Sequence, residues 1–488
     1  MTTDPNPPAV IDQDVPAGAI AREGAYGEQV IAVEPGGAEF IPLHERHGRP
    51  VQLFWTWASP NLEFATVFVG VLAVAAFGLT FWQATAAILA GSLAGAISHA
   101  FLSSRGPRLG VPQMVQSRLG FGYWGNILPA GINAVIAGVG WFAVNSVSGT
   151  FALNTLTHLP EWLCLVIIVA LQIAIAFFGH NLVHAFERYA FPVLAVIFLI
   201  ATGWILAKAH PGFQPSAPPY VGGTLGGFLL TTGAVFGYAV GWNPYASDYT
   251  RYFPARASRT AIGLWAGLGL FVSCGLLEIA GAAAVTISKG DVGAFLGSSP
   301  TGAFTGHLPT ALADATLLAI ALGAIAANVL NIYSGALSFV ALGIKLPLRL
   351  RRAIVAVVAG TIGFVVALLG LHGAVNKYEN FLLIISYWIA PWLAVFFCDW
   401  VLRRGRDLEQ VMFDRSHSNW AGPVAMAAGM GLSIWLFSNQ TEYVGLVPAH
   451  VSAVGDITFE AGFFITAVIY LTWHALARQG SGAVRPAR

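Results

Sequence analysis

Trp57-Ala58-Ser59-Pro60-Asn61, followed by Glu63, and Gly241-Trp242-Asn243-Pro244-Tyr245, followed by Asp248, are the two stretches that decide the fold. Each interrupts a long apolar run with a proline set among polar residues. Proline removes a backbone donor and disfavours helix at the residue before it. A helix broken inside a bilayer exposes backbone groups that a cavity, ligand or ion must satisfy. Two such breaks in matching positions of two halves are the strongest sequence pointer to a transporter site.

The runs that carry these breaks belong to a set. The chain has 488 residues, 56% hydrophobic and only 10% charged. An average soluble domain is about a quarter charged. The apolar residues fall in blocks of about twenty, enough for a helix to cross a hydrocarbon core of about 30 Å. Twelve spans are predicted: 53–74, 80–103, 125–154, 162–182, 188–208, 226–247, 261–287, 313–343, 353–372, 378–402, 421–438 and 458–477. The third and eighth exceed what a crossing needs. The broken spans are the first and the sixth, so they open two sets of five. The chain reads as an all-α integral membrane protein.

Charge orients the spans. With the N-terminus inside, every Lys and Arg except Lys208, Lys289 and Lys377 falls in a cytoplasmic segment. The positive-inside rule predicts that bias, and one missed span would scramble it. Both termini are therefore expected in the cytoplasm, around a multi-pass span of the cell membrane. Trp and Tyr near span ends read as interface anchors. Residues 1–50 are polar and lack the layout of a signal peptide, and read as a largely disordered tail. Residues 41–52 could instead lie on the membrane surface or plug the cytoplasmic mouth. Residues 51–208 and 226–402 form the two halves, and 403–488 hold spans eleven and twelve with a cytoplasmic tail.

Polar residues inside the spans nominate a site. Trp141 and Asn145 lie one turn apart on the third span and share a face, and Gly138 and Gly140 leave room for close packing or a flat ligand. An indole beside an amide suits a planar heterocycle. Asn328 and Asn331 on the eighth span are costly in an apolar helix unless each finds a partner. Their amides suit nucleobase edges, or tie helices together. Glu187, entering the fifth span, and Glu278, alone in an apolar stretch of the seventh, are carboxyls that could couple a proton to transport. Asp248 and Asp399 read as ion pairs with Arg251 and Arg403.

Other chemistry is absent. There is no Walker A pattern, no H-E-x-x-H and no exposed G-x-S-x-G elbow. Cys164, Cys274 and Cys398 are isolated and read as packing residues. A net charge of +1 points to no nucleic acid partner. Neither an enzyme nor a resident cofactor is expected.

Gly237-Tyr238-Ala239-Val240-Gly241-Trp242-Asn243-Pro244-Tyr245-Ala246-Ser247-Asp248-Tyr249-Thr250-Arg251-Tyr252 resembles the sixth-span signature of the nucleobase:cation symporters, on their purine–cytosine permease branch. Asn328-Val329-Leu330-Asn331-Ile332-Tyr333-Ser334 and Gly140-Trp141 with Asn145 are similar to two further motifs of that branch. The resemblance runs from about Ile41 through span ten and more weakly to the end. It implies the LeuT-like five-plus-five inverted repeat with two extra C-terminal helices. It also implies a nucleobase stacked on Trp141, contacted by Asn145 and read by Asn331. The sixth-span aromatic of the family falls on Ala239 here, so Tyr238 or Trp242 takes the second wall. Ser59 and Asn328 complete the expected substrate set.

In sodium-coupled relatives the ion lies between spans one and eight, held by hydroxyls at positions that are Ile325 and Ala326 here. Backbone carbonyls near Ala58 and Asn61 remain available. Proton coupling is therefore favoured over sodium, with Glu187 at an acidic position of the branch. The expected activity is import of cytosine or a purine, by rocking of spans one, two, six and seven against three, four, eight and nine. The alternatives are thiamine, a pyridoxine, or an allantoin- or hydantoin-like substrate on the same fold. The small-molecule substrate and membrane lipids are the expected partners, and the chain is expected to be a monomer or a weak homo-oligomer.

Overall fold

Apolar residues recur all round these helices rather than on one face, as they must where both neighbours and lipid are apolar. The computed structural model describes residues 39–177, 180–215, 222–288, 292–297, 299–343, 348–404 and 409–481. Within a few helical segments it describes the backbone path alone. The described residues form helices and two isolated β-bridges, with no strand.

In chain order the long helices begin with α1 (Gln52–Ala58) and α2 (Phe64–Ala75), joined through a 3-10 turn at Ser59–Asn61. Then come α3 (Phe81–Ser103), α4 (Ile127–Val135), a π-helical turn at Ile136–Trp141 and α5 (Phe142–Thr157). Next are α6 (Glu161–Phe177), α7 (His180–Lys208), α8 (Gly223–Val240), a 3-10 turn at Asn243–Tyr245 and α9 (Ala246–Thr250). The remainder are α10 (Arg259–Ile287), α11 (Thr310–Ala341), α12 (Leu348–Gly370), α13 (Ala374–Leu402), α14 (Ala421–Phe437) and α15 (Thr458–Ser481).

Among the described residues eight stretches are long and apolar enough to cross a membrane, and the bent pair α1–α2 makes a ninth. Shorter apolar helices stand at Glu161–Ile175, Gly360–Gly370 and Ala421–Phe437. The third and eighth expected spans are the longest, with 31 and 32 residues.

The two breaks differ. α1 and α2 meet at 62°. Gly223–Thr250 runs on as one span, its hydrogen bonding changed only from Gly241 to Tyr245. A proline therefore bends the first helix sharply and only tightens the second.

Contacts sort the helices into two groups. α1, α2, α3, α8 and α10 pack on one another, and so do α5, α6, α11 and α12. α13, α14 and α15 pack together beside α8. Glycines set the closest approaches. A Cβ at Gly269 of α10 would lie 2.3 Å from the Phe54 carbonyl oxygen on α1, and one at Gly281 would lie 1.9 Å from that of Val67 on α2. Such contacts bring backbones together where lipid gives no hydrophobic drive.

The N-terminal stretch departs from the expectation of a disordered tail up to residue 50. Phe40 and Ile41 are buried, the Ile41 N–H donates to the Gly110 carbonyl at 3.0 Å, and the His47 N–H donates to that of Tyr252 at 2.7 Å. Arg46 donates to the Ile41 carbonyl at 2.9 Å and to that of Pro107. Residues 39–50 thus lie across the Arg-rich end of the bundle, as a plug would. Residues 1–38 lie outside the described residues.

Candidate functional site

The register of two antiparallel helices builds the site. Gly138 of the π turn packs on Gly335 of α11, where a Cβ at Gly335 would lie 3.1 Å from the Gly138 Cα. One level further, Asn145 Nδ2 donates to Asn328 Oδ1 at 3.0 Å. Trp141 and Asn331 therefore lie at the same level, between these two contacts. A π turn adds a residue to the helix and re-aims the side chains beyond it, and such turns are frequent at functional sites.

The Trp141 indole is buried, 6% exposed. Tyr238 of α8 meets it edge-on at 5.4 Å and 88°, and Phe381 of α13 at 5.0 Å and 83°. Its far edge lies on the α8 end, where a Cβ at Gly241 would come 2.8 Å from Cζ2. Of the two candidates for a second aromatic wall, Tyr238 is the one against Trp141. Trp242 turns away: its Nε1 donates to Asn61 Oδ1 at 2.8 Å, and its ring faces Trp57 at 6.2 Å. The two glycines before Trp141 serve packing rather than a flat ligand. Gly138 takes Gly335, and the Phe381 ring fills the space beside Gly140.

The amides divide in the same way. Asn328 Nδ2 donates to the Phe142 carbonyl at 2.8 Å and to Ser146 Oγ at 3.2 Å. Its Oδ1 accepts from Asn145 and, at 3.3 Å, from Asn331. Asn328 and Asn145 thus tie α11 to α5, the interhelical alternative foreseen for Asn328 but not for Asn145. Asn331 Oδ1 is buried and has no hydrogen-bond partner among the described residues. The Ser59 hydroxyl in the first break is likewise buried and unpartnered.

The break itself is heavily hydrogen-bonded. Asn61 Nδ2 donates to the Trp57 carbonyl at 2.6 Å, and the Asn61 carbonyl accepts from Thr66 Oγ1 at 2.5 Å. Ala58 is buried beside it. Ile325 and Ala326, at the level where sodium-coupled relatives place hydroxyls, are buried and apolar. No cluster of three His, Cys, Asp or Glu side chains stands among the described residues.

Glu63 is the residue of the first break to which sequence reasoning gave no role. It is 0% exposed and caps α2, with Oε2 accepting from the Ala65 N–H at 2.9 Å. Oε2 also accepts from Ser148 of α5 at 3.1 Å, and Oε1 from the Tyr238 hydroxyl at 3.5 Å. The signal was available: a carboxyl two residues beyond Asn61, where a broken helix restarts. Glu278 is also buried, with Oε2 accepting from Ser92 of α3 at 3.1 Å and Oε1 unpartnered. Glu187 lies in α7, in a segment of which only the backbone path is described. Asp399 pairs with Arg403 as expected. The Asp248 carboxylate accepts from the Gln113 N–H at 2.9 Å.

A cavity of about 330 Å³ opens beside this cluster. Phe64 and Phe68 of α2, Val144, Val147 and Ser148 of α5 and Tyr378 and Phe381 of α13 help to line it. Phe381 stands between the cavity and Trp141, and Asn331 is not on its wall.

Comparison with known proteins gives this geometry its context. The family described as permease for cytosine/purines, uracil, thiamine, allantoin matches residues 40–462. The purine-cytosine permease fcyB of Emericella nidulans is 32% identical over 453 residues, which cover 90% of this chain and 88% of that one. The purine-cytosine permease FCY2 of Saccharomyces cerevisiae is 30% identical over 441 residues, 85% of this chain and 80% of its own. Among solved structures, Mhp1, a nucleobase-cation-symport-1 family transporter in a closed conformation with bromovinylhydantoin bound, matches with a TM-score of 0.70. The match covers 91% of this chain and 96% of Mhp1 at 18% identity, a likeness of fold. The chain therefore belongs to the permease family for cytosine and purines, uracil, thiamine and allantoin, on its purine–cytosine permease branch, and is a multi-pass membrane transporter rather than an enzyme.

Proposed function

We propose that this permease imports a nucleobase, cytosine or a purine, across the cytoplasmic membrane by cation symport with alternating access. The observation that carries the substrate reading is the buried, unpartnered oxygen of Asn331 at the level of the Trp141 indole. A buried acceptor without a partner is costly, and an N–H on the edge of a base stacked by the indole would relieve that cost. In this reading Trp141 and Tyr238 grip the ring, and Phe381 swings aside to admit it. Asn145 and Asn328 hold the third and eighth spans in register, Ser59 offers a further hydroxyl, and Trp242 fastens the two breaks together.

The architecture we propose has twelve spans, with both termini cytoplasmic. Residues 51–208 and 226–402 are inverted repeats, and the last two spans lie outside them. The division of helices into two packed groups supports rocking of spans one, two, six and seven against three, four, eight and nine. The apolar Ile325 and Ala326 favour a proton over sodium as the coupling ion, with Glu187 and Glu278 as candidate carriers. The protein works as a monomer or weak homo-oligomer. The family description, which includes thiamine and allantoin, supports a second reading: another small heterocycle on the same site.

Radiolabelled uptake in a permease-deficient strain decides between the two. Cytosine or a purine should be taken up and should compete best. Uptake of thiamine or a ureide alone would favour the second reading, and no uptake of any of them would refute both. Replacing sodium by choline should leave the rate unchanged.

A further inference from the structure

We propose that Glu63, in the break between α1 and α2, is the carboxyl that binds and releases the coupling proton, an inference that rests on the symport reading above. Three observations carry it.

The first is place. Glu63 touches both groups of helices. Its carboxyl accepts from Ala65 of α2 and Tyr238 of α8 in one group, and from Ser148 of α5 in the other. α11 seals the remaining side, since a Cβ at Gly323 would lie 2.8 Å from the Glu63 Cβ and 2.3 Å from the Leu62 carbonyl oxygen. Any movement of one group against the other must change the hydrogen bonds of this carboxyl. Glu278 differs: its contacts, Ser92 of α3 and Gly70 of α2, both lie within one group.

The second is charge. Glu63 is fully buried, and among the described residues no Lys, Arg or His pairs with it. A carboxylate sealed from water needs a cation beside it or a proton on it. The ionisable groups that face this spot are the phenols of Tyr238 and Tyr378, with Cys274 and Glu278 of α10 beyond them. α5 carries no ionisable side chain, and α11 presents Gly323 here. None of these groups brings a positive charge.

The third is the ligand set. A hard cation takes several oxygens; the hydroxyls of Thr66, Ser148 and Tyr238 are engaged, and that of Ser59, which is unpartnered, would by itself not fill such a shell. Thr66 Oγ1 serves the Asn61 carbonyl and meets the Tyr238 hydroxyl at 2.5 Å. α11 adds none, since Ile325 and Ala326 are apolar. A proton needs only the carboxyl itself, with Ser148 and Tyr238 as partners that can reorient. The step is balanced: the carboxylate takes a proton from the outer side, the groups rock, and the same O–H bond breaks toward the inner side.

The test is Glu63→Gln, which keeps the shape and the acceptor for the Ala65 N–H. Wild type and E63Q, each eluting as a single folded species, are reconstituted in proteoliposomes with radiolabelled cytosine and adenine. One pH unit is worth about 1.4 kcal/mol, so one proton per base supports about tenfold accumulation. Wild type should approach that ratio. E63Q should fall to a ratio of about one, while counterflow exchange of preloaded base stays within about threefold of wild type. E63Q that still accumulates base under the pH gradient would overturn the proposal, and so would a sodium requirement in wild type. A wild type that moves neither base refutes the nucleobase reading instead. Infrared difference spectra then judge Glu63 alone. The band of a buried protonated carboxyl should change with pH in wild type and be missing from E63Q. An unchanged band in E63Q would refute the assignment without any substrate.

Discussion

Replacing Asn328 and Asn331 separately by alanine distinguishes an amide that holds helices from one that holds a ligand. Asn328→Ala removes three bonds between α11 and α5: those to the Phe142 carbonyl, to Ser146 and from Asn145. Interhelical hydrogen bonds in membrane proteins average about 0.6 kcal/mol, so the loss is about 2 kcal/mol. The stranded Asn145 amide adds a desolvation cost of about 1–3 kcal/mol. Asn331→Ala removes one 3.3 Å bond within α11, worth about 0.6 kcal/mol on the same average. It also deletes the unpartnered acceptor, and a lost substrate hydrogen bond of about 1.4 kcal/mol means tenfold weaker binding. Thermal unfolding of the purified protein should therefore drop by several degrees for N328A and barely move for N331A. Initial uptake rates should fall about tenfold or more for N331A at subsaturating substrate. If N331A unfolds as early as N328A, or transports like wild type, the division of labour is refuted.

Gly241→Ala sets a methyl 2.8 Å from the Trp141 indole and should cost about 1–3 kcal/mol of overpacking, with reduced uptake, read by thermal unfolding and transport. Arg46→Ala frees the strap over the Arg-rich end: hydrogen exchange should rise at residues 39–50 and stay unchanged in α5 and α11. Burial, and then nearby Lys208, holds the His307 imidazole below its usual range. The folded loop therefore resists protonation, and its stability is lost as pH falls below the ordinary value of 6.5, not as pH rises. Protection of the amides at residues 299–309, corrected for the intrinsic exchange rate, should fall on acidification and lose that dependence in His307→Asn.

The features legible in the sequence share a cause. Pro60 and Pro244 act through local geometry, and Asn328 and Asn331 are conspicuous because an amide in an apolar helix is costly wherever it points. Which of the two amides finds partners depends on the neighbour's register, so the split between Asn328 and Asn331 was not readable. The π turn before Trp141 was hidden for the same reason. It arises where Gly138 meets Gly335, nearly two hundred residues on, and no local pattern marks it. Glu63 was visible in the first break, but its role was not, because Ser148 and Tyr238, which accompany it, come from helices far along the chain. The alternatives for residues 41–52 stayed open because Phe40 and Ile41 are too short a run to signal packing.

α10 crosses both halves of the first broken span. Gly269 seats a carbonyl of α1 and Gly281 one of α2, so a single unbroken helix is keyed to the chain on either side of the bend. The bend is thus a splinted elbow rather than a joint. A force applied to α2 is delivered to α1 through α10 without flexing Pro60. Whatever opens the site must turn this assembly as one body, with the slip taken up along the faces where it meets α5 and α11.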